Sequence, residues 1–362
     1  MREDCLLFIQ NRPKRAGAQT SLYRIAQCDS IRTLSPAILT SSQGWLNEAC
    51  KEKNISNFTS PWPSPRSLHG RLGGLKKFAN KLAEELHDAG RTPRAIVAND
   101  HQECLVALAI AQIFNNIPVF AILRTPGMTE HDFDKYQCSE CAVVFPRGKE
   151  LTARVQTWTN RPVHCLEGSF SDDERHPPVT LPPEFPNRIL VVGSEEPRKG
   201  FSDFIDALAI LEQEHPDFPA LTCVMTGEEP GQQTHSHDFR SRFEYVGRIN
   251  GFVEFARNFY LAIHPSRSES FGMAPLELIL AGIPTLVSRT GVIDQLNLPE
   301  GWCFKPESPR DMANKIAKIW QCWPDTGLEI TSTQDDLLKN YHISHTANLI
   351  AQVVQHTAPT SH

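Results

Sequence analysis

His264-Pro265-Ser266-Arg267-Ser268-Glu269-Ser270-Phe271-Gly272-Met273-Ala274-Pro275-Leu276-Glu277 is the stretch from which the rest of the chain becomes readable. Two glutamates with seven residues between them straddle a small-residue turn. Pro275 suits a first helical turn, where the amide it lacks would have had no partner, and Gly282 can end the helix in a left-handed conformation. The pattern predicts a helix from about Met273 to Ala281. Leu261 to His264 reads as the end of a buried strand and Ile283 to Ser288 as the next one, with Glu269 on the turn and Glu277 on the helix. Amides at Phe271 to Ala274 open that helix, carry the positive end of its dipole and suit a diphosphate. Eight helical steps give a span of at most roughly 12 Å between the carboxylates, so one can grip a ribose while the other grips a sugar across the diphosphate. As a helix-capping acid and a solvated helix residue, the same two glutamates would be purely structural.

The longer pattern, Ser266-Arg267-Ser268-Glu269-Ser270-Phe271-Gly272, Glu277, Ala281-Gly282-Ile283-Pro284, Ser288 and Gly291, resembles the E-x7-E motif of family 4 retaining glycosyltransferases. The resemblance implies an α/β chain of GT-B fold, two Rossmann-like domains facing each other across a cleft, with the donor held by the carboxy-terminal one. It implies that Glu277 binds the ribose and that Glu269 lies beside the donor sugar. Ser270, Phe271, Gly272 and Met273 would then contact phosphate and sugar.

A second patch agrees. Arg188 to Ser194 is an apolar, β-branched run ending in small residues, and Glu195-Glu196-Pro197-Arg198-Lys199-Gly200 leads into Phe201, Phe204, Ile205, Leu208 and Leu211 at helical spacing. Lys199 falls at the family's phosphate lysine. Many members carry an arginine directly after the strand glycine; Ser194 stands there in this chain, so Arg198 is the candidate second cation. A solvated basic pair in a turn is the bland alternative. Ala220 to Glu228 and Phe243 to Ile249 read as two further strands. By resemblance, Gly247 and Arg248 would lie beside the nucleobase, although a glycine ending a strand is usually a turn.

A chain of 362 residues suits two domains with their own cores. A net charge of −6 gives nucleic acid no basic footprint. No apolar run approaches a membrane span, and the amino terminus turns polar and basic from Asn11 to Arg15, which predicts a cytoplasmic protein. Ten scattered cysteines read as buried thiols in a reducing compartment; the single Cys138-Ser139-Glu140-Cys141 has no second pair at zinc spacing. Asp132-Phe133-Asp134 looks like a metal-binding DxD but has no strand before it, and reads as helix surface. No metal and no cofactor are expected, the sugar nucleotide being a co-substrate.

The amino-terminal half alternates strands and helices. Cys5 to Gln10 reads as a strand, followed by a turn over Arg15-Ala16-Gly17-Ala18-Gln19 into a helix. The turn resembles the family's glycine-rich first loop, with Ala16 in place of a glycine, so Gly17 and Gln19 become candidates for the acceptor side. Ala37 to Thr40 is another strand, and Gly44 opens a helix to Lys53. Leu72 to Ala89 is amphipathic, with Lys76, Lys77 and Lys81 off the apolar face; such a face suits either solvent or the surface of an anionic membrane. Asn99, His101 and Arg124 end two further strands, where ligands bind in open α/β sheets, or else serve as caps and loop bonds.

Prolines from Pro177 to Pro186 mark the composition break. The expected organisation is an acceptor domain over 1–176, a linker over 177–187, a donor domain over 188–330, and a helical segment over 331–362 that packs back on the first domain. The resulting expectation is a retaining, metal-independent transfer of a sugar to a hydroxyl of a glycan or glycolipid, with peripheral membrane contact for a lipid acceptor. An epimerase, a glycan phosphorylase or a non-catalytic sugar-nucleotide-binding subunit would share the layout.

Overall fold

The computed structural model describes residues 3–65, 67, 70–125, 127–194, 196–228, 238–269, 271–325 and 328–358. Contacts divide the chain into two units, Met1–Ser171 with Tyr341–His362, and Asp172–Asn340.

The first unit holds a six-stranded parallel sheet of β1 (Glu3–Gln10), β2 (Pro36–Thr40), β3 (Ser56–Thr59), β4 (Arg91–Ala98), β5 (Val119–Leu123) and β6 (Val143–Pro146), in the order β3-β2-β1-β4-β5-β6. Helices cover both faces, so the buried stretches of the inner strands, Cys5 to Ile9, Ala95 to Ala98 and Val119 to Leu123, are apolar without interruption. Alternate residues feed two cores: Leu7, Ile9, Ile96 and Ala98 join one, while Leu6, Phe8, Val97 and Phe120 join the other. The order reverses at β1 and β4, and a crevice at their carboxyl ends is where such sheets bind ligands.

The second unit repeats the plan with β7 (Arg188–Val191), β8 (Thr222–Met225), β9 (Arg242–Tyr245), β10 (Ala262–His264), β11 (Thr285–Ser288) and β12 (Cys303–Phe304), ordered β12-β11-β10-β7-β8-β9. Its reversal falls between β7 and β10, the strands that carry the two motif loops. Helix Phe201–Glu214 buries Phe201, Phe204, Ile205, Leu208 and Leu211 against this sheet, the face its spacing predicts.

The proline-rich stretch is laid onto the second unit rather than suspended between domains. His176 N–H donates to Leu280 O at 2.8 Å, Val179 N–H to Gly282 O at 2.9 Å, and Trp323 Nε1–H to Pro182 O at 2.9 Å. The carboxy-terminal segment is two helices, not one. Ile330–Tyr341 stays with the second unit, where Gln334 Nε2 donates to Ile279 O and Leu280 O at 2.9 and 3.0 Å. Ile343–Thr357 places Ile343, Ala347, Ile350 and Val354 in a core of the first unit.

Sequence reasoning missed β3, β6, β12 and helix Lys149–Trp158. Phe133 is fully buried, while Asp132 serves a capping box with Thr129, so the DxD belongs to a helix start. Cys138 and Cys104 are buried thiols with their sulfurs 3.7 Å apart. Among the described residues no group of three or more His, Cys, Asp or Glu is placed to hold a metal ion.

Candidate functional site

Beyond β7 the chain runs through Gly193 to Gly200, and beyond β10 it runs through Pro265 to Gly272. These two loops are sewn together. Gly200 has a φ of +71° and comes so close to the neighbouring loop that a Cβ there would lie 2.0 Å from Pro265 O. Arg267 N–H donates to Arg198 O at 2.7 Å. The Arg267 guanidinium grips Asp203 in a two-pronged pair, Nε to Oδ2 at 2.8 Å and Nη2 to Oδ1 at 2.6 Å. Asp203 lies in the first turn of helix Phe201–Glu214, where a carboxylate also suits the helix dipole.

Glu269 sits inside this junction. Its Oε1 accepts from Lys199 Nζ at 2.6 Å and from Ser266 Oγ at 2.8 Å, and lies 3.5 Å from His264 Nε2. Burial alone would push the Glu269 carboxyl up, but the bonds and charges of His264 and Lys199 outweigh it and hold the group down at about 2. Burial likewise pushes the His264 imidazole below its ordinary value, against the pull of Glu269. The result is an anchored carboxylate at the switch point, backed by a buried imidazole and faced by an ammonium.

Gly272, with a φ of +84°, is the N-cap of helix Met273–Leu280 and supplies no side-chain cap to the first-turn amides. Gly282 turns left-handed after it, and a Cβ there would lie 2.4 Å from Pro177 O. The Phe271 side chain is buried and its carbonyl accepts from Val292 N–H at 3.2 Å. Ser270 lies outside the described residues.

Glu277 lines a pocket of about 600 Å³ together with Gly193, Thr226, Gly247, Arg248 and Phe252, a size suited to a small-molecule moiety. Gly247 and Gly227 exchange both backbone hydrogen bonds at 2.9 Å. The Gly247 amide and carbonyl are therefore committed, and a ring entering the pocket would find its backbone partners at Arg248 or Ile249. Arg198 turns to the exposed side of its loop, with Nε 2.7 Å from Glu196 Oε2; the charge that meets Glu269 from this loop is that of Lys199.

The first-unit candidates gather at the β1 and β4 carboxyl ends. Fully buried Asn99 donates to Gln10 Oε1 and to Ala18 O at 3.2 Å, while its Oδ1 accepts from Arg124 Nη2 at 2.7 Å. Burial lowers Arg124 to about 10, against the neighbouring charges of Asp100 and Glu103. Buried His101 holds Asp100 Oδ1 at 2.9 Å through Nδ1 and meets the Tyr136 ring edge-on. Gly17 begins helix Gly17–Gln27, and Gln19, buried, donates to Arg12 O at 2.8 Å. Sequence reasoning missed Asp100, Glu103, Asp203 and His264. Asp203 had a signal, an acid in a first helical turn beside a phosphate lysine; the contact with Arg267 needs the fold.

Residues 172–329 match the model of the family described as glycosyl transferases group 1. Glycogen synthase of Mycobacterium tuberculosis is 29% identical over 141 residues, 37% of this chain and 33% of that protein. D-inositol 3-phosphate glycosyltransferase of Jonesia denitrificans is 32% identical over 114 residues, 28% of this chain and 27% of that protein. The match thus spans about a third of these relatives' length. Among solved structures, Anabaena Alr3699/HepE in complex with UDP and glucose superposes with a TM-score of 0.70 at 17% identity, covering 97% of this chain and 99% of that one. The fold is GT-B, as the motif resemblance implies.

Proposed function

We propose that the protein is a retaining glycosyltransferase that moves a sugar from a nucleoside-diphosphate sugar to a hydroxyl of a glycan or glycolipid. The observation that carries this reading is the Lys199–Glu269 pair, 2.6 Å apart at the switch point, with Glu269 on the loop that leads into the helix whose Glu277 lines the adjoining pocket. The Anabaena protein's complex with UDP and glucose supports a uridine donor of this class. The ring of the nucleoside enters the pocket beside Arg248 and Phe252, and Glu277 takes ribose hydroxyls. The diphosphate meets Lys199 and the amides after Gly272, with Arg198 able to swing in as a second cation.

Glu269 remains an anion and, in this reading, stabilises positive charge on the sugar ring as the bond to the diphosphate stretches. Lys199 stabilises the negative charge that grows on the leaving group. The departing diphosphate takes the proton of the attacking hydroxyl on the same face, so the anomeric configuration is retained and neither a metal nor a cofactor is required. For a lipid acceptor, the exposed Lys76, Lys77 and Lys81 of helix Leu75–Asp88 support peripheral contact with an anionic membrane, on its cytoplasmic side. Among the described residues no helix is long and apolar enough to cross one.

The test is a thermal-shift screen of UDP-, GDP- and ADP-sugars, then proton NMR of the product formed with the best donor and a glycan panel, with and without EDTA. A retained anomeric coupling that survives chelation is expected. An inverted product, or activity that returns only with magnesium or manganese, overturns the mechanism; hydrolysis-free epimerisation of the donor alone overturns the reaction class.

A further inference from the structure

A cavity of about 460 Å³ lies in the first unit at the amino ends of β5 and β6, the end of the sheet opposite to Asn99, His101 and Arg124. Its volume falls within the range of small-molecule sites. Leu108 and Ala111 of helix Cys104–Ile113, with Ile117, Val119 and Ala142, give it an aliphatic floor of buried and half-buried side chains. Gln112, Asn116, Gln137, Glu140 and Arg161, all exposed, give it a polar rim.

Arg161 is fixed along one edge of its guanidinium, where Nε donates to Ser139 O at 2.9 Å, and its backbone N–H donates to Thr159 Oγ1 at 3.1 Å. Among the described residues the side chains of Gln112, Asn116, Gln137 and Glu140 make no hydrogen bond or ion pair with the protein. Three carboxamides, one carboxylate and one guanidinium set donors and acceptors side by side, and the two charges cancel. Among the described residues no aromatic ring lines the cavity, so a nucleobase finds no stacking surface. Gln137 has a φ of +55°, a left-handed backbone that glycine adopts without strain. Its N–H donates to Asp134 O at 2.9 Å, and it opens the short turn Cys138–Glu140. The backbone alone favours glycine there, yet a carboxamide stands on the rim in spite of the strain.

We infer that this cavity binds a neutral carbohydrate. Each hydroxyl of a sugar both donates and accepts, which matches a rim of mixed donors and acceptors without net charge. The Glu140 carboxylate accepts from neighbouring hydroxyls, the Arg161 guanidinium and the carboxamides donate to hydroxyl and ring oxygens, and the aliphatic floor takes the C–H face of the ring. Carbohydrate binding rests on the cavity alone. On the glycosyltransferase reading, the bound sugar is a distal part of a glycan acceptor, held away from the carboxyl ends of the strands.

The experiment follows the Asn116, Gln137 and Glu140 amide resonances of the full-length protein while titrating maltotriose, cellotriose, mannotriose and chitotriose, with uridine and glucose 6-phosphate as comparators. At least one neutral trisaccharide should shift these amides saturably at millimolar concentration, and the comparators should not. Glu140→Ala and Arg161→Ala should each bind that trisaccharide roughly tenfold more weakly, as for loss of a charged hydrogen bond. Gln137→Gly separates binding from structure: it relieves the left-handed strain, so it should melt at or above the wild type while binding the sugar more weakly. Silence of the three amides toward all four trisaccharides overturns the inference. So does a response confined to glucose 6-phosphate, which would make the cavity an anion site at Arg161, and so does wild-type sugar binding by both Glu140→Ala and Gln137→Gly. Binding of UDP-, GDP- and ADP-sugars is measured on the same samples: its absence in the wild type defeats the transferase reading, whereas the carbohydrate site stands or falls on the trisaccharide titrations.

Discussion

Lys199 Nζ lies 2.6 Å from Glu269 Oε1, so the cation read for the diphosphate and the acid read for the sugar are each other's partner. Neither belongs to the other's stretch of sequence. The pair exists because Gly200 lets the β7 loop touch Pro265, and because the Arg267–Asp203 grip holds that contact in register. On the proposed reading, a donor phosphate arriving at Lys199 would compete with the carboxylate already paired to it.

Acid stability should report the pair. Glu269 is held at about 2 against an ordinary value of 4.5. A depressed carboxyl contributes stability that is fully present above its unfolded value and lost as pH falls through the folded one, so the window runs from about 4.5 down to about 2. The contribution is on the order of 3 kcal/mol. His264, pushed down by burial, loses stability in the same direction as pH falls below its ordinary value near 6.5. Urea denaturation at stepped pH should show a steeper acid loss in the wild type than in Glu269→Gln; parallel curves would remove the coupling.

Removal of the cation should separate chemistry from packing. If Lys199 faces the leaving diphosphate as proposed, Lys199→Ala loses a charge opposite one that grows in the transition state, and kcat should fall roughly 10²–10³-fold. The melting temperature should fall by no more than the share of the pairing that Lys199 supplies, because Glu269 keeps its contacts with Ser266 and His264. Steady-state kinetics beside a melt decides: normal turnover refutes the assignment, and a collapse in stability makes the lysine structural.

Strands β1, β2, β4, β5, β7, β8, β10 and β11 were legible because each is an unbroken apolar run closed by small or polar residues. β3 was not: Ser56-Asn57-Phe58-Thr59 is half-buried at the sheet edge and carries no apolar run. β12 is two residues long and set by pairing with β11. At the site, Glu269, Glu277 and Lys199 were readable from local chemistry and a known motif. His264 was read only as the end of a strand, and its alignment with the Glu269 carboxylate depends on how the following turn folds back. The carboxy-terminal break at His342 also escaped the pattern, since the apolar spacing continues through it and only the His342 cap on Ser344 N–H marks the restart.

The clamp between the loops should act at a distance from substrate. Asp203 is buried and touches neither Lys199 nor Glu269 through its bonds to Arg267. Asp203→Ala should cost about 2 kcal/mol for the lost charged hydrogen bonds and should loosen the contact that sets the Lys199–Glu269 separation. Turnover should drop more than donor affinity, and the Glu269 carboxyl, followed by carbon NMR, should titrate higher than in the wild type. Asp203→Asn should recover part of both. An unshifted Glu269 titration in a folded Asp203→Ala would leave the clamp a matter of stability alone.

Glu277 offers a test of the pocket in which, on the proposed reading, binding and chemistry part. It lines the cavity with Thr226 and Arg248 and lies within helix Met273–Leu280. If it takes ribose hydroxyls, each charged hydrogen bond contributes about 1.5–3 kcal/mol, and Glu277→Ala should weaken donor binding roughly tenfold to a hundredfold. Glu277→Gln, which keeps the shape and loses the charge, should fall between. The ribose is equally bound before and during transfer, so the loss should appear in the donor KM with kcat nearly preserved. Calorimetry and steady-state kinetics on the three proteins check both halves; a folded Glu277→Ala with wild-type donor affinity would remove this residue from the site and shift the ribose toward the Gly193 and Thr226 side of the pocket.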